Sequence, residues 1–196
     1  MSIEYPIQIQ SSDRQSVDAS LCSVNESHLE QFERCWKPML IGTIEEDRYW
    51  EWSRKQRTYG ARLGAETYAI VHNQMMQGLI LIETLGYRSW FASNRRILYV
   101  HSLATAPWNR PSIQNPPRYR LVGSTLMEFA RYRSEELKYN GLVGVHALPQ
   151  AEEFYRRLGM IDCGVDSEKE QLVYFEWYKP SVRENWEDEI NWEDED

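Results

Sequence analysis

Residues 97–147 constrain the fold more than any other stretch, because they read in order as strand, loop, helix and strand. Residues 97–106 are mostly apolar and close at Pro107, as a strand does. A loop holding Pro107, Pro111, Pro116 and Pro117 follows. Proline locks φ and donates no backbone hydrogen bond, so this span is neither helix nor central strand. From about residue 122, Val122, Leu126, Phe129, Ala130 and Leu137 fall on one helical face, and Asn140-Gly141 ends the helix. Residues 142–147 form the next strand. Such a unit within a run of hairpin-linked strands predicts an α/β (α+β) chain: a mixed, mostly antiparallel central sheet with helices on both faces.

The flanking pattern agrees. Ile3, Tyr5, Ile7 and Ile9 alternate as a short strand, and the polar stretch 11–20 reads as loop. Asn25-Glu26-Ser27 starts a helix whose apolar positions Leu29, Phe32 and Trp36 run to Pro38. A second helix is predicted over 45–63, with Gly64 as its stop. It is rich in Tyr49, Trp50, Trp52 and Tyr59 and in Arg48, Arg54, Lys55, Arg57 and Arg62. Strands are predicted at 67–72, 78–84, 160–164 and 171–179, with a short helix from Pro149 through Arg157 that Gly159 ends. One domain therefore covers 1–180, and 181–196 is a separate acidic tail.

Charge sharpens this division. The net charge is −8, and residues 184–196 contribute eight acids and no Lys or Arg, which leaves 22 acids against 22 bases elsewhere. A neutral body lacks the basic face of a general nucleic-acid binder. Cys22, Cys35 and Cys163 match no zinc spacing, and the four histidines are scattered, so no metal site is expected. No signal-like start and no long apolar run occur, so a cytoplasmic protein with reduced thiols and no membrane span is expected.

The chemistry concentrates where the strand meets the helix. Arg118-Tyr119-Arg120-Leu121-Val122-Gly123-Ser124 is a basic turn leading into a helix. A helix start presents unbonded N–H groups and partial positive charge, so it suits a diphosphate; Gly123 permits close approach and the arginines add charged donors. A solvated helix start is the plain alternative.

Three segments in order resemble the GNAT family of N-acetyltransferases. Arg118-x-x-Leu121-x-Gly123 fills most of that family's Arg/Gln-x-x-Gly-x-Gly/Ala turn, and Leu103-Ala104-Thr105-Ala106-Pro107 looks like its strand end. Ala151-Glu152-Glu153-Phe154-Tyr155-Arg156-Arg157-Leu158-Gly159-Met160 is similar to its closing Ala-x-x-Phe-Tyr-x-x-Leu-Gly-Phe run. The resemblance covers about residues 67–179. It implies acetyl transfer from acetyl-coenzyme A (acetyl-CoA) to an amine acceptor by direct attack in a ternary complex. Leu103, Ala104 and Thr105 would meet the thioester and pantetheine, and Arg118, Tyr119, Arg120, Leu121, Val122, Gly123 and Ser124 the pyrophosphate. Two departures stand out: Leu121 replaces a glycine, so a positive φ there would be strained, and Leu148 stands where many relatives carry Asn.

The resemblance makes Tyr155 the proton donor to the leaving thiolate. For the base, a strand period of two puts Tyr99, His101 and Leu103 on one face, and His101 titrates near neutrality, so it ranks first. His146 ranks second and Glu83 third. A hydrogen-bonded structural role is open for each histidine. The tail repeats Asn185-Trp186-Glu187-Asp188-Glu189 as Asn191-Trp192-Glu193-Asp194-Glu195. It is either a solvating tail or a segment that docks a protein partner through its Trp anchors. The second function carried forward is thus a non-catalytic interaction module of the same fold; a homodimer is also left open.

Overall fold

The computed structural model describes residues 4–92 and 94–178. A hairpin, β1 (Glu4–Ser11) and β2 (Ser16–Ser23), leads into α1 (Glu26–Gln31), a π-helical turn (Phe32–Trp36) and α2 (Lys37–Leu40). A 3₁₀ turn (Glu46–Tyr49) and α3 (Trp52–Thr58) precede the meander β3 (Ala65–His72), β4 (Met75–Glu83) and β5 (Leu98–Thr105). Then come β6 (Tyr119–Arg120), α4 (Val122–Glu136), β7 (Val143–Ala147), α5 (Glu152–Arg157), β8 (Ile161–Asp166) and β9 (Leu172–Trp177).

These strands make one sheet in the order β6-β1-β2-β3-β4-β5-β7-β9-β8. Among the described strands only β5 and β7 run parallel, as fits the helix between them; the other pairs are antiparallel. The mixed sheet with helices on both faces is therefore as the sequence predicts.

Strand periodicity divides the core. On β4, Ile80 and Ile82 join Leu98, Val100, Leu126 and Phe129 on the α4 face, while Leu79 and Leu81 join Phe32, Trp36, Trp52 and Trp108 on the α3 face. A central strand covered on both sides must be apolar throughout, which is why residues 79–82 show no polar alternation. Each such fully buried side chain is worth roughly 1.5–3 kcal/mol.

Several local expectations are corrected. The stretch 11–20 is not all loop: residues 16–20 open β2, with Val17, Ala19 and Leu21 turned against the core and a more polar opposite face. Helical structure does not stop at Pro38, because the π-helical turn lets the proline occupy the first turn of α2, where its missing N–H is harmless. The predicted helix 45–63 is broken at Trp50-Glu51. Asp47 and Trp52 are both buried, yet five residues along a continuous helix would turn them roughly 140° apart. Breaking the helix brings both inward. The pairing of Tyr119 and Arg120 with Ser11 and Gln10 on β1 has no sequence signal beyond a basic turn. The three cysteines are free, and no described helix is long and apolar enough to cross a membrane. The acidic repeat and the boundary at 180 lie outside the described residues.

Gly144 on β7 is a close-packing glycine: a Cβ there would lie 2.2 Å from the Tyr174 hydroxyl. Tyr174 is itself held by Glu176 and by the Trp90 and His146 rings. Gly144→Ala is expected to destabilise the protein by about 1–3 kcal/mol, as overpacking does. Urea denaturation measures this, and an unchanged midpoint would show that Tyr174 moves freely.

Candidate active site

The site begins where β5 and β7 separate. Their pairing covers only Leu98↔Val143, Tyr99↔Gly144 and Val100↔Val145. Beyond it each strand stays in register with its other neighbour, β5 with β4 as far as Thr105 and β7 with β9 as far as Ala147. The strands do not fray; they diverge. A β-bulge helps to bend β5 away, because Leu81 faces Ser102 and Ile82 faces Val100, which leaves His101 as the extra residue.

The divergence opens into a cleft of about 840 Å³ that the start of α4 bounds and that Ile44, Glu45, Glu46 and Asp47 also line. Leu103, Ala104 and Thr105 form one wall, and Leu148, Ala151, Phe154 and Tyr155 the other. Its end is the turn 119–124. Leu121 caps α4 with φ 64° and ψ 2° and no side-chain hydrogen bond. The left-handed backbone that glycine would accept freely is thus adopted by leucine, at a strain of roughly 1–2 kcal/mol. The first intrahelical acceptor is Leu121 O, taken by Thr125 N at 2.8 Å. The amides of Val122, Gly123 and Ser124 therefore have no helical partner and belong to residues that line the cleft. A Cβ on Gly123 would sit 3.2 Å from the Phe154 ring, so glycine keeps this end open.

The proline loop forms the rim and is firmly held. Arg110 is buried and donates to both Asp47 carboxylate oxygens at 2.6 and 2.7 Å, to Glu45 at 2.8 Å and twice to Thr105 O. One side chain thereby fastens the loop and the 46–49 turn to the end of β5. The Asn109 side chain accepts from Tyr119 N and donates to Gln77, which sets the entry to the basic turn. Across the mouth, Gln150 donates from its backbone N–H to Glu46 and from its side chain to Ile44 O.

Of the predicted residues, Leu103, Ala104, Thr105, Tyr119, Arg120, Leu121, Val122, Gly123, Ser124 and Tyr155 line the cleft. Arg118 does not; it is exposed, and its backbone donates to Trp108 O. Arg157, Phe154 and Asn109 line the cleft without having been predicted. The closing Phe-Tyr-x-x-Leu-Gly run signalled Phe154, but nothing local signalled Arg157 or Asn109.

Tyr155 is buried and burial alone pushes its phenol up, so it stays protonated at neutral pH. Its hydroxyl has no hydrogen-bond partner among the described residues. The other three candidates lie on the opposite, α3 face, outside the cleft lining. The expectation that Tyr99, His101 and Leu103 share one face is wrong, because the bulge inserts a residue between them: Leu103 packs on the α4 side while His101 packs on Tyr59 at 3.9 Å. Burial, reinforced by Lys55, Arg62 and Lys169, pushes His101 down to about 4. His146 accepts or donates at Nδ1 with the Tyr99 hydroxyl (2.9 Å) and at Nε2 with Asp166 (3.0 Å). Burial lowers it, against the raising effect of Asp166. Glu83 is buried, raised by burial, and lies 3.6 Å from Arg62. Burial, with Tyr87 and Glu83 behind it, raises the Tyr99 phenol. Among the described residues no cluster fit for a metal occurs.

No protein-family model and no curated protein matches the sequence. Solved structures do match the fold. The GNAT domain of PAT from S. lividans superposes with a TM-score of 0.56 at 12% identity, covering 88% of this chain and 96% of that one. The Bacillus subtilis N-acetyltransferase YlbP, in complex with coenzyme A, gives 0.51 at 13% identity, covering 91% and 97%. Arabidopsis thaliana NAA60, in complex with acetyl-CoA, gives 0.51 at 14% identity, covering 81% and 97%. The chain has a GNAT N-acetyltransferase-like fold.

The His101 environment has a stability signature. A histidine lowered from 6.5 to about 4 stays neutral in the fold while the unfolded chain takes up its proton first. The unfolded state therefore binds more protons as pH falls through this window, and stability drops from pH 6.5 down to about pH 4. Between about pH 7 and about pH 4.5, His101→Gln should lose less of its urea midpoint than the wild type. Equal losses would exclude His101 as the source.

Proposed function

We propose that this protein is an N-acetyltransferase that moves acetyl from acetyl-CoA to an amine by direct attack. The observation that carries the reading is the divergence of β5 from β7 onto an uncapped helix start, with the unpartnered Tyr155 hydroxyl in the same cleft. The donor set fits the cofactor: three open amides at 122–124 and the Arg120 and Arg157 side chains suit phosphates, and the apolar walls suit pantetheine.

In this reading Tyr155 acts as an acid. Its raised phenol holds a proton at neutral pH and gives it to the departing thiolate. The walls exclude water from the thioester, and the β5 backbone around Leu103–Thr105 positions it. The amine arrives from the α3 face and passes its proton toward Tyr99 and His146, which are already hydrogen-bonded to each other, His146 being bonded in turn to Asp166. That side carries Trp50, Tyr59 and Lys55 with His101, surroundings that favour an acceptor with an aromatic or acidic part.

Calorimetry should find acetyl-CoA bound one per chain, and thiol release with a panel of amines should find turnover. Tyr155→Phe should keep the binding and lower kcat by about 10²–10⁴-fold. Unchanged turnover would remove Tyr155 from the chemistry. Gly123→Val, which fills the cleft between α4 and Phe154, should weaken acetyl-CoA at least roughly tenfold (about 1.4 kcal/mol) with little change in the free protein's melting temperature. Full affinity in that variant would place the phosphates elsewhere.

A further inference from the structure

One amine already stands at the acceptor side of the gap, and it is the protein's own. Lys55, on α3, points its Nζ at the sheet and donates to Ser102 Oγ at 2.9 Å. Ser102 is buried on β5, just beyond Val100, the last residue that β5 pairs with β7. The next residue, Leu103, lines the cleft from the other face. Lys55 and the cleft therefore meet the same short piece of β5 from its opposite faces, beside the gap.

The surroundings of Nζ are those of a nucleophile more than of a structural cation. Lys55 makes no ion pair among the described residues; its neighbours are the Ser102 hydroxyl and the face of Trp50, 4.1 Å from the ring centroid. Burial pushes it down to about 8, opposed by the more distant Asp47, so a sizeable fraction is neutral near physiological pH. Lys37, by contrast, is exposed at its tip and paired with Glu33 at 2.9 Å, which raises it. Ser102 Oγ also lies 3.0 Å from His101 Nδ1. With Nδ1 unprotonated, the three groups line up as amine N–H to hydroxyl oxygen and hydroxyl O–H to imidazole nitrogen. This gives the amine a route for its proton and gives the otherwise unused His101 a role.

We propose that Lys55 is a self-acetylation site, taking the acetyl group from the thioester bound in the cleft; the inference rests on the acetyl-transfer reading above. The neutral Nζ attacks the thioester carbonyl, a C–N bond forms and the C–S bond breaks. The amine loses one proton, through Ser102 to His101, and the thiolate gains one from Tyr155, which is replenished from solvent as His101 releases its own. The products are N-acetyl-lysine and free thiol, with no oxidant or further reactant. Acetylation removes the charge that faces Trp50 and fills the acceptor side of the gap, so the modified chain should be slower on added amines.

The test uses the full chain with acetyl-CoA and no added amine, followed by peptide mass spectrometry over time. Lys55 should gain an acetyl group well ahead of Lys37 and Lys138, at a fractional rate independent of protein concentration. Tyr155→Phe should slow it by about 10²-fold or more. Ser102→Ala, a small buried change that keeps the amine, should slow it while leaving acetyl-CoA affinity unchanged. Lys55→Arg should lose the modification and retain the affinity. If acetyl-CoA binds and added amines turn over but Lys55 is acetylated no faster than Lys37, the self-acetylation proposal falls and the transferase reading stands. If acetyl-CoA does not bind, both fall.

Discussion

The parallel pairing of β5 with β7 lasts for three residue pairs and then ends, and the rest of the site depends on this. Both strands remain hydrogen-bonded on their outer sides, so the gap is a property of the sheet and not of a loose edge. Its rims carry backbone groups that the sheet does not use, and such groups need a partner, whether protein, water or ligand. The bulge at His101 sets where the gap starts and also reverses which side chains face the cleft. A single extra residue thus puts Leu103 on the cleft wall and His101 on the α3 face.

Two features keep the cleft in shape. Arg110 binds Asp47, Glu45 and the Thr105 carbonyl together, so that the proline loop, the 46–49 turn and the end of β5 move as one body. Burial of such a charge is tolerable because its N–H donors all find acceptors and carboxylates balance its charge. The second is Leu121. Held left-handed without a side-chain cap, it leaves the first amides of α4 unclaimed, a local expense that a purely structural helix start would avoid with Ser, Thr or Asp. The observed strain and the missing cap point the same way.

Much of this was legible in the residues. Apolar runs, proline punctuation and the face made by Val122, Leu126, Phe129 and Ala130 locate every strand of the meander and the crossover helix. The basic turn can be read from its own residues, whereas the cleft residues of β5 and Tyr155 follow from the resemblance to the GNAT family. Of the acid–base candidates, His101 was given the wrong face, because a period of two holds only along an unbroken strand and no sequence signal marks the bulge there. Helix 45–63 was misjudged for a similar reason: its composition favours helix, and only the demand to bury both Asp47 and Trp52 breaks it. Asn109 and Arg157 reach the cleft from positions whose local sequence shows nothing unusual.

By itself, then, the sequence determined the order of strands and helices from β3 onward except for β6, the mixed sheet and the presence of a basic turn at the start of α4. These rest on local periodicity and on the steric limits of proline and glycine, which act within a few residues. Only the tertiary structure decided that β5 and β7 diverge after Val100, that Arg118 stays outside the cleft, and that Lys55, Ser102 and His101 form a chain on its far side. The divergence and the chain depend on contacts between residues far apart in sequence, such as Lys55 with Ser102, 47 residues away, and no local pattern encodes them.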